Sequence, residues 1–144
     1  LAGVAPGIVA VGTTSVRTIE TLYWLGVKLV NGGHTLLQHD LGLGQWEAYT
    51  LPQNIPARKA FEALEHWFDT NNAMTLPAST RMMIVPGYTF RAVNTLITNF
   101  HQPGSTLLLL VAAFLGDQWK DVYRYALEND FRFLSYGDSS ILFV

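Results

Sequence analysis

Nine consecutive apolar residues, 107–115 (LLLLVAAFL), follow the hydroxyl pair Ser105-Thr106 and stop at Gly116. As a helix this run is apolar on every side, so it must be surrounded by other elements rather than laid on a surface. It is far shorter than the roughly 20 apolar residues that cross a bilayer, which makes it a central buried helix capped by Ser105 or Thr106 and not a membrane span. With 144 residues, 49% of them hydrophobic and only 14% charged, the chain carries enough apolar surface to enclose it. Nine basic residues against eleven acidic give a net charge of -2, which speaks against a broad basic face; any contact with nucleic acid has to be local. The absence of cysteine excludes disulfides, thiolate metal sites and a cysteine nucleophile. The opening LAGVAPGIVAVG has neither the basic region nor the cleavage pattern of a signal peptide, and the chain reads as a piece of a longer protein.

Around the central helix, strand and helix patterns alternate. Residues 8–11 (IVAV) end at Gly12, as a buried strand feeding a tight turn does. Thr13, Thr14 and Ser15 can each cap the helix that follows, in which Val16, Ile19, Leu22, Tyr23 and Leu25 recur at helical spacing until Gly26. VKLV, Asn31-Gly32-Gly33 and HTLLQ then read as a small β-hairpin, and GQWEAYTL as a loop with another strand. Pro56 opens an amphipathic helix to about Thr70 with Ala60, Phe61, Leu64, Trp67 and Phe68 on its apolar side. RMMIVPGY predicts a second buried strand and AVNTLITNF a third. Past the central helix, Asp117 is placed to cap QWKDVYRYALEN, with Val122, Tyr123, Ala126 and Leu127 inward, and SSILFV ends the chain as a strand. The class is α/β, a mixed sheet with helices on both faces, in one domain over residues 1–144.

Three turns carry polar residues to strand ends. In VGTTSVRTIE, a strand delivers Gly12, Thr13, Thr14 and Ser15 to a helix N-terminus, whose open N–H groups hold anions and carboxylates, with Arg17 one turn further on as a forked cation. Plain helix capping, with Arg17 solvated or paired with Glu20, is the simpler reading of the same residues. In TNFHQPGST, Asn99, His101, Ser105 and Thr106 sit at the carboxyl end of a strand, where open α/β sheets bind ligands; His101 is either a proton acceptor near neutral pH or a structural histidine. In FRFLSYGDSS, Asp138 either contacts ribose, orients Arg17 or His101, or stabilises its own turn. Strand ends gather at one edge of such a sheet, so these distant turns can meet. His34, His39 and His66 lack metal-ligand spacing and read as polar surface, so no metal is implied. Trp24 and Trp67 fall in helical apolar patterns and belong to the core.

In this order, VGTTSVRTIE, VPGYTFRAVNTLITNFHQPGSTLLLLVAAFLG and YRYALENDFRFLSYGDSSILFV closely resemble the carboxyl-terminal part of the S-adenosylmethionine:tRNA ribosyltransferase-isomerases of queuosine biosynthesis. The resemblance implies a fragment of that family's larger α/β domain without its inserted β-barrel, with residues at about 27–75 as a divergent insertion. It implies a cytoplasmic bacterial enzyme that moves and isomerises the ribosyl part of S-adenosylmethionine onto the aminomethyl-deazaguanine wobble base of tRNA. Adenine and methionine leave, so S-adenosylmethionine is a consumed substrate and no cofactor is needed. The partners implied are S-adenosylmethionine, tRNA and the missing amino-terminal part of the same protein, which carries part of the active site.

Such chemistry needs a base beside the sulfonium, a pocket for the methionine carboxylate and support for the ribose oxygens. On this reading His101 transfers the proton, and Thr13, Thr14, Ser15 and Arg17 hold the donor. Asn99, Ser105, Thr106 and Tyr136 bind substrate, and Asp138 contacts ribose or orients His101. Gln102, Gly104, Ile19 and Ser139 depart from the family pattern and point to a divergent branch. The alternative is a non-catalytic paralogue that binds a nucleotide or tRNA.

Overall fold

The computed structural model describes residues 7–32 and 41–143. In chain order the regular elements are β1 (Ile8–Val11), α1 (Thr13–Gly32), β2 (Gly42–Leu43), α2 (Ala57–Asn71), β3 (Ser79–Thr80), β4 (Val93–Asn99), α3 (Thr106–Leu115), α4 (Trp119–Glu128) and β5 (Ser139–Phe143). They fall into two compact units, one containing residues up to 16 together with those from 84 onward, the other residues 17–83. Among the described residues no helix is long and apolar enough to cross a membrane.

The first unit is built on a mixed three-stranded sheet in the order β1-β4-β5, with β1 parallel and β5 antiparallel to β4. Because side chains alternate across a pleated sheet, the register sorts them by face. Ala10, Leu96 and Leu142 lie in one row and are all buried. On the opposite face Val11 pairs with Ile97 and Ile97 with Ile141; Val11 is 67% and Ile141 59% exposed, and Phe143 beside them 70%. The expectation that β1 is a buried strand is therefore corrected: it holds an edge of the sheet, and among its four residues only Ala10 is buried.

The all-apolar run does form the buried helix, α3, which packs on β5 and α4 with Leu108, Leu110, Val111, Ala112 and Phe114 buried. Ser105 caps it as expected, its Oγ accepting the Leu108 N–H at 3.2 Å. Leu107, Ala113 and Leu115 are half-buried, and Leu109 is 41% exposed. Asp117 does not cap the next helix. Residues 116–118 form a 3₁₀ turn that runs straight into α4 with no side-chain cap bond, and the positive φ of 58° at Gly116 makes that turn. On α4, Tyr123 and Ala126 point inward, whereas Leu127 is 68% exposed.

In the second unit the expected hairpin at Val27 is replaced by helix: α1 runs unbroken to Gly32. Val27 and Leu29 are buried and continue the inward face begun by Tyr23, Trp24 and Leu25, so burial outweighs the weak helix propensity of valine and glycine. Its HTLLQ arm lies outside the described residues. Gly26 marks a close approach rather than a helix end. A Cβ there would fall inside contact distance of the Ala60 backbone carbonyl on α2. Leu25, Leu29, Leu41, Leu64 and Trp67 form the local core, and α2 stops at Asn72 in the left-handed region with φ 46°. The expected strand in GQWEAYTL is a 3₁₀ turn at residues 47–49, and regular pairing is confined to Gly42–Leu43 against Ser79–Thr80. The strand expected in RMMIVPGY does not form: regular pairing ends at Thr80, the Arg81 and Met83 N–H groups still bond to the Leu43 and Gln45 carbonyls, and a turn follows in which the Tyr88 N–H bonds to the Val85 carbonyl. Trp24 and Trp67 are core residues as expected.

Candidate functional site

The strand order places three loops at one edge of the first unit. β1 and β4 are parallel, so their carboxyl ends lie side by side: Val11 pairs with Ile97, and the Gly12 N–H donates to the Ile97 carbonyl at 2.8 Å. β5 is antiparallel and starts with Ser139 opposite Asn99. The residues after β1, the residues after β4 and the residues before β5 therefore gather at the same place.

After β1, Gly12 takes a φ of 86°, a turn conformation that glycine adopts without strain. Thr13 is 7% exposed at the start of α1, Thr14 is exposed, and the Ser15 Oγ donates back to the Val11 carbonyl at 2.7 Å. Arg17 belongs to the second unit, where its Nε donates to the Met82 carbonyl at 3.1 Å; it does not depend on Glu20.

After β4, His101 is half-buried and its N–H donates to the Tyr123 Oη at 3.0 Å. Its Nε2 lies 3.1 Å from the Thr98 Oγ1. Burial lowers the pKa of the imidazole below its ordinary value, which favours the neutral ring at pH 7, and raises that of the Tyr123 hydroxyl. The loop is anchored through Phe100, 4% exposed, whose ring meets Tyr123, Phe131 and Phe133 at centroid distances of 5.4, 5.5 and 5.5 Å. The Phe100 carbonyl accepts the Leu134 N–H at 2.9 Å, and Leu134 is held at a φ of 66°, a region that costs a non-glycine residue about 1–3 kcal/mol.

Asn99 ties the β4 loop to the loop before β5. Its Nδ2 donates to the carbonyls of Gly137 at 3.2 Å and Asp138 at 3.3 Å and to the Ser139 Oγ at 3.3 Å. Asp138 is engaged within its own turn: Oδ2 accepts the Arg132 N–H at 2.8 Å, and Oδ1 pairs with the Arg132 Nη2 at 2.9 Å. In the structure its carboxylate is thus held by its own turn and does not orient His101. These bonds hold the Asp138 pKa below its ordinary value. A group with a depressed folded-state pKa stabilises the fold fully above its unfolded value, about 3.9 for aspartate, and loses that contribution as pH falls through the lowered value. Asp138→Asn is therefore expected to lower the thermal midpoint at pH 7, with the gap to the parent chain closing in strong acid. An equal gap at both pH values would count against the pairing.

Ser105 is spent on the helix cap and on a bond from its Oγ to the Gln102 carbonyl at 2.9 Å, while Thr106 is exposed. Both line a cleft of about 300 Å³ with Pro86, Leu109 and Trp119, and a neighbouring apolar cleft of about 510 Å³ runs between Pro103 and Tyr123 past the same tryptophan. The side chain of Tyr136 lies outside what the structure describes, as do His34 and His39, whereas His66 is exposed on α2. A polar cleft of about 670 Å³ in the second unit, walled by Lys28, Glu47, Ser79 and Arg81, contains none of the expected residues.

Thr98, Tyr123 and Phe100 are the parts of this arrangement that motif reading missed. The signal for Thr98 is its place in the inward row of β4, where Leu96 and Thr98 alternate with less buried neighbours and Phe100, just past the strand, continues the buried row. A hydroxyl in an apolar row must find a partner.

The model of a family described as queuosine biosynthesis protein matches residues 5–142. An S-adenosylmethionine:tRNA ribosyltransferase-isomerase of Agrobacterium fabrum is 58% identical over 66 residues, 45% of this chain and 18% of that protein. The protein of the same description from Herminiimonas arsenicoxydans is 46% identical over 84 residues, 58% of this chain and 25% of that one. The chain thus matches at most a quarter of the length of either relative. The crystal structure of an S-adenosylmethionine tRNA ribosyltransferase from Thermotoga maritima superposes with a TM-score of 0.52 at 30% identity, over 94% of this chain and 32% of that one. With a match over nearly its whole length and the same fold in a solved relative, the chain belongs to the queuosine biosynthesis protein family.

Proposed function

We propose that this chain supplies the carboxyl-terminal part of the active site of an S-adenosylmethionine:tRNA ribosyltransferase-isomerase. The reaction is transfer and isomerisation of the ribosyl moiety onto the 7-aminomethyl-7-deazaguanine wobble base of tRNA. Epoxyqueuosine forms and adenine and methionine are released, in the cytoplasm and without a cofactor. The observation that carries this reading is the gathering of the Thr13–Ser15 turn, the Asn99–Thr106 loop and the Gly137–Asp138 turn at one sheet edge.

Within it, His101 is the base that removes a proton beside the sulfonium, since a half-buried neutral imidazole has the acceptor such a step needs. Thr13, Thr14 and Ser15, with Arg17, hold a polar or anionic part of the donor at the start of α1. Ser105 and Thr106 meet substrate at the mouth of the smaller cleft beside Trp119, and Tyr136 is a further substrate-binding residue. Asn99 and Asp138 act by holding two of the loops in place, and Asp138 contacts ribose through the exposed part of its turn.

Incubation of the full-length polypeptide with S-adenosylmethionine and precursor-bearing tRNA tests the reading. Release of adenine together with a modified wobble base supports it. Tight binding of S-adenosylmethionine or tRNA without product would replace it with a non-catalytic binding module.

A further inference from the structure

Among the described residues the His101 side chain has one hydrogen-bond partner, the Thr98 Oγ1 at Nε2, and its Nδ1 has none. The main chain of His101 is separately fixed by Tyr123, which is 7% exposed and wedged among Phe100, Phe133 and Trp119. Thr98 is 6% exposed, and its position is set by the sheet: it pairs with Ser140, whose Oγ donates to the Thr98 carbonyl at 3.2 Å. A ring held at one nitrogen by a rigid buried hydroxyl presents the other nitrogen in a defined direction. A threonine hydroxyl can donate or accept, so it is compatible with either neutral tautomer. What distinguishes the two is the open side: a proton on Nε2 leaves the lone pair on Nδ1, and a proton on Nδ1 leaves no acceptor there at all.

We propose that Thr98 is the positioning residue of this site, accepting the Nε2–H of His101 and so directing a basic Nδ1 toward substrate. The proposal rests on the reading of His101 as the proton acceptor, but its first test requires no turnover. Nitrogen-15 and proton long-range correlation spectra of the labelled full-length polypeptide identify which ring nitrogen of His101 carries the proton. The expected result is a ring protonated at Nε2, a shift toward mixed tautomers in Thr98→Val, and recovery of the parent pattern in Thr98→Ser. A parent ring protonated at Nδ1, or a tautomer that Thr98→Val leaves untouched, would overturn it. Should Thr98→Val fail to fold, the proton position in the parent chain decides alone.

Turnover gives the second reading. In the full-length polypeptide Thr98→Val is expected to lower kcat about tenfold with little change in the KM for S-adenosylmethionine, and Thr98→Ser to restore it. An unchanged kcat would overturn the positioning role even with the tautomer as expected. If the tautomer behaves as described but no variant, nor the parent, releases adenine, the enzymatic reading fails while the Thr98–His101 bond stands.

Discussion

Replacing His101 by glutamine in the full-length polypeptide is expected to cut adenine release by about 100-fold to 10,000-fold, the usual contribution of a general base. Glutamine keeps a polar side chain of similar reach toward the Thr98 hydroxyl but cannot take a proton. The His101 N–H that Tyr123 accepts belongs to the main chain and survives the exchange. The loop should therefore hold its shape, which an unchanged thermal midpoint and near-UV circular dichroism spectrum would verify. Near-normal adenine release from a correctly folded variant would remove His101 from the chemistry and leave it a structural residue of the β4–α3 loop.

The largest effect on stability is expected at Gly26. In an exposed helix interior an alanine in place of glycine gains about 1 kcal/mol. Here the added methyl group meets the backbone carbonyl of Ala60, which no side-chain rotation can move aside, and both residues are fully buried. Overpacking of this kind costs typically about 1–3 kcal/mol and sometimes more, so Gly26→Ala is expected to lower the denaturant midpoint despite its better helix propensity. Gly32, at the exposed end of the same helix with open space around its Cα, serves as the control; Gly32→Ala should be neutral or slightly stabilising. Equal effects of the two exchanges would mean that the α1–α2 contact contributes nothing.

Gly26 also shows why local reading fails in the middle of the chain. A glycine after a helical stretch, followed by VKLV and Asn-Gly-Gly, carries the signals of a helix end and a hairpin, because those signals report the conformations each residue reaches most easily. The helix continues because Val27 and Leu29 find a buried surface, and glycine is required where two helix backbones come close. Neither fact is local. The same limit applies to Asp117, which stands where a capping residue belongs but is bypassed by a 3₁₀ turn, and to Leu127, apolar at an inward spacing yet exposed.

At the candidate site, the turns themselves were legible because glycine, hydroxyl and asparagine side chains carry their turn chemistry with them: Gly12 with its positive φ, Ser105 as a cap, Asp138 closing a turn. The resemblance located the family and gave the residues of the three turns their roles. Which of them touch was not legible. Asn99 reaches across to residues 137–139, and Asp138 turns back to Arg132 rather than outward, because strand order and register set those neighbours.

What the amino-acid order determined by itself was the α/β class, the central helix, the outer strands and the polar turns, since each follows from periodicity, apolar content and backbone preference over a few residues. Tertiary structure alone decided the length of α1, the edge position of β1, the partner of Arg17 and the Thr98–His101 contact. These depend on which surfaces meet across long stretches of chain, and a single side chain's preference, worth a few tenths to about 1 kcal/mol, gives way wherever burial contributes more.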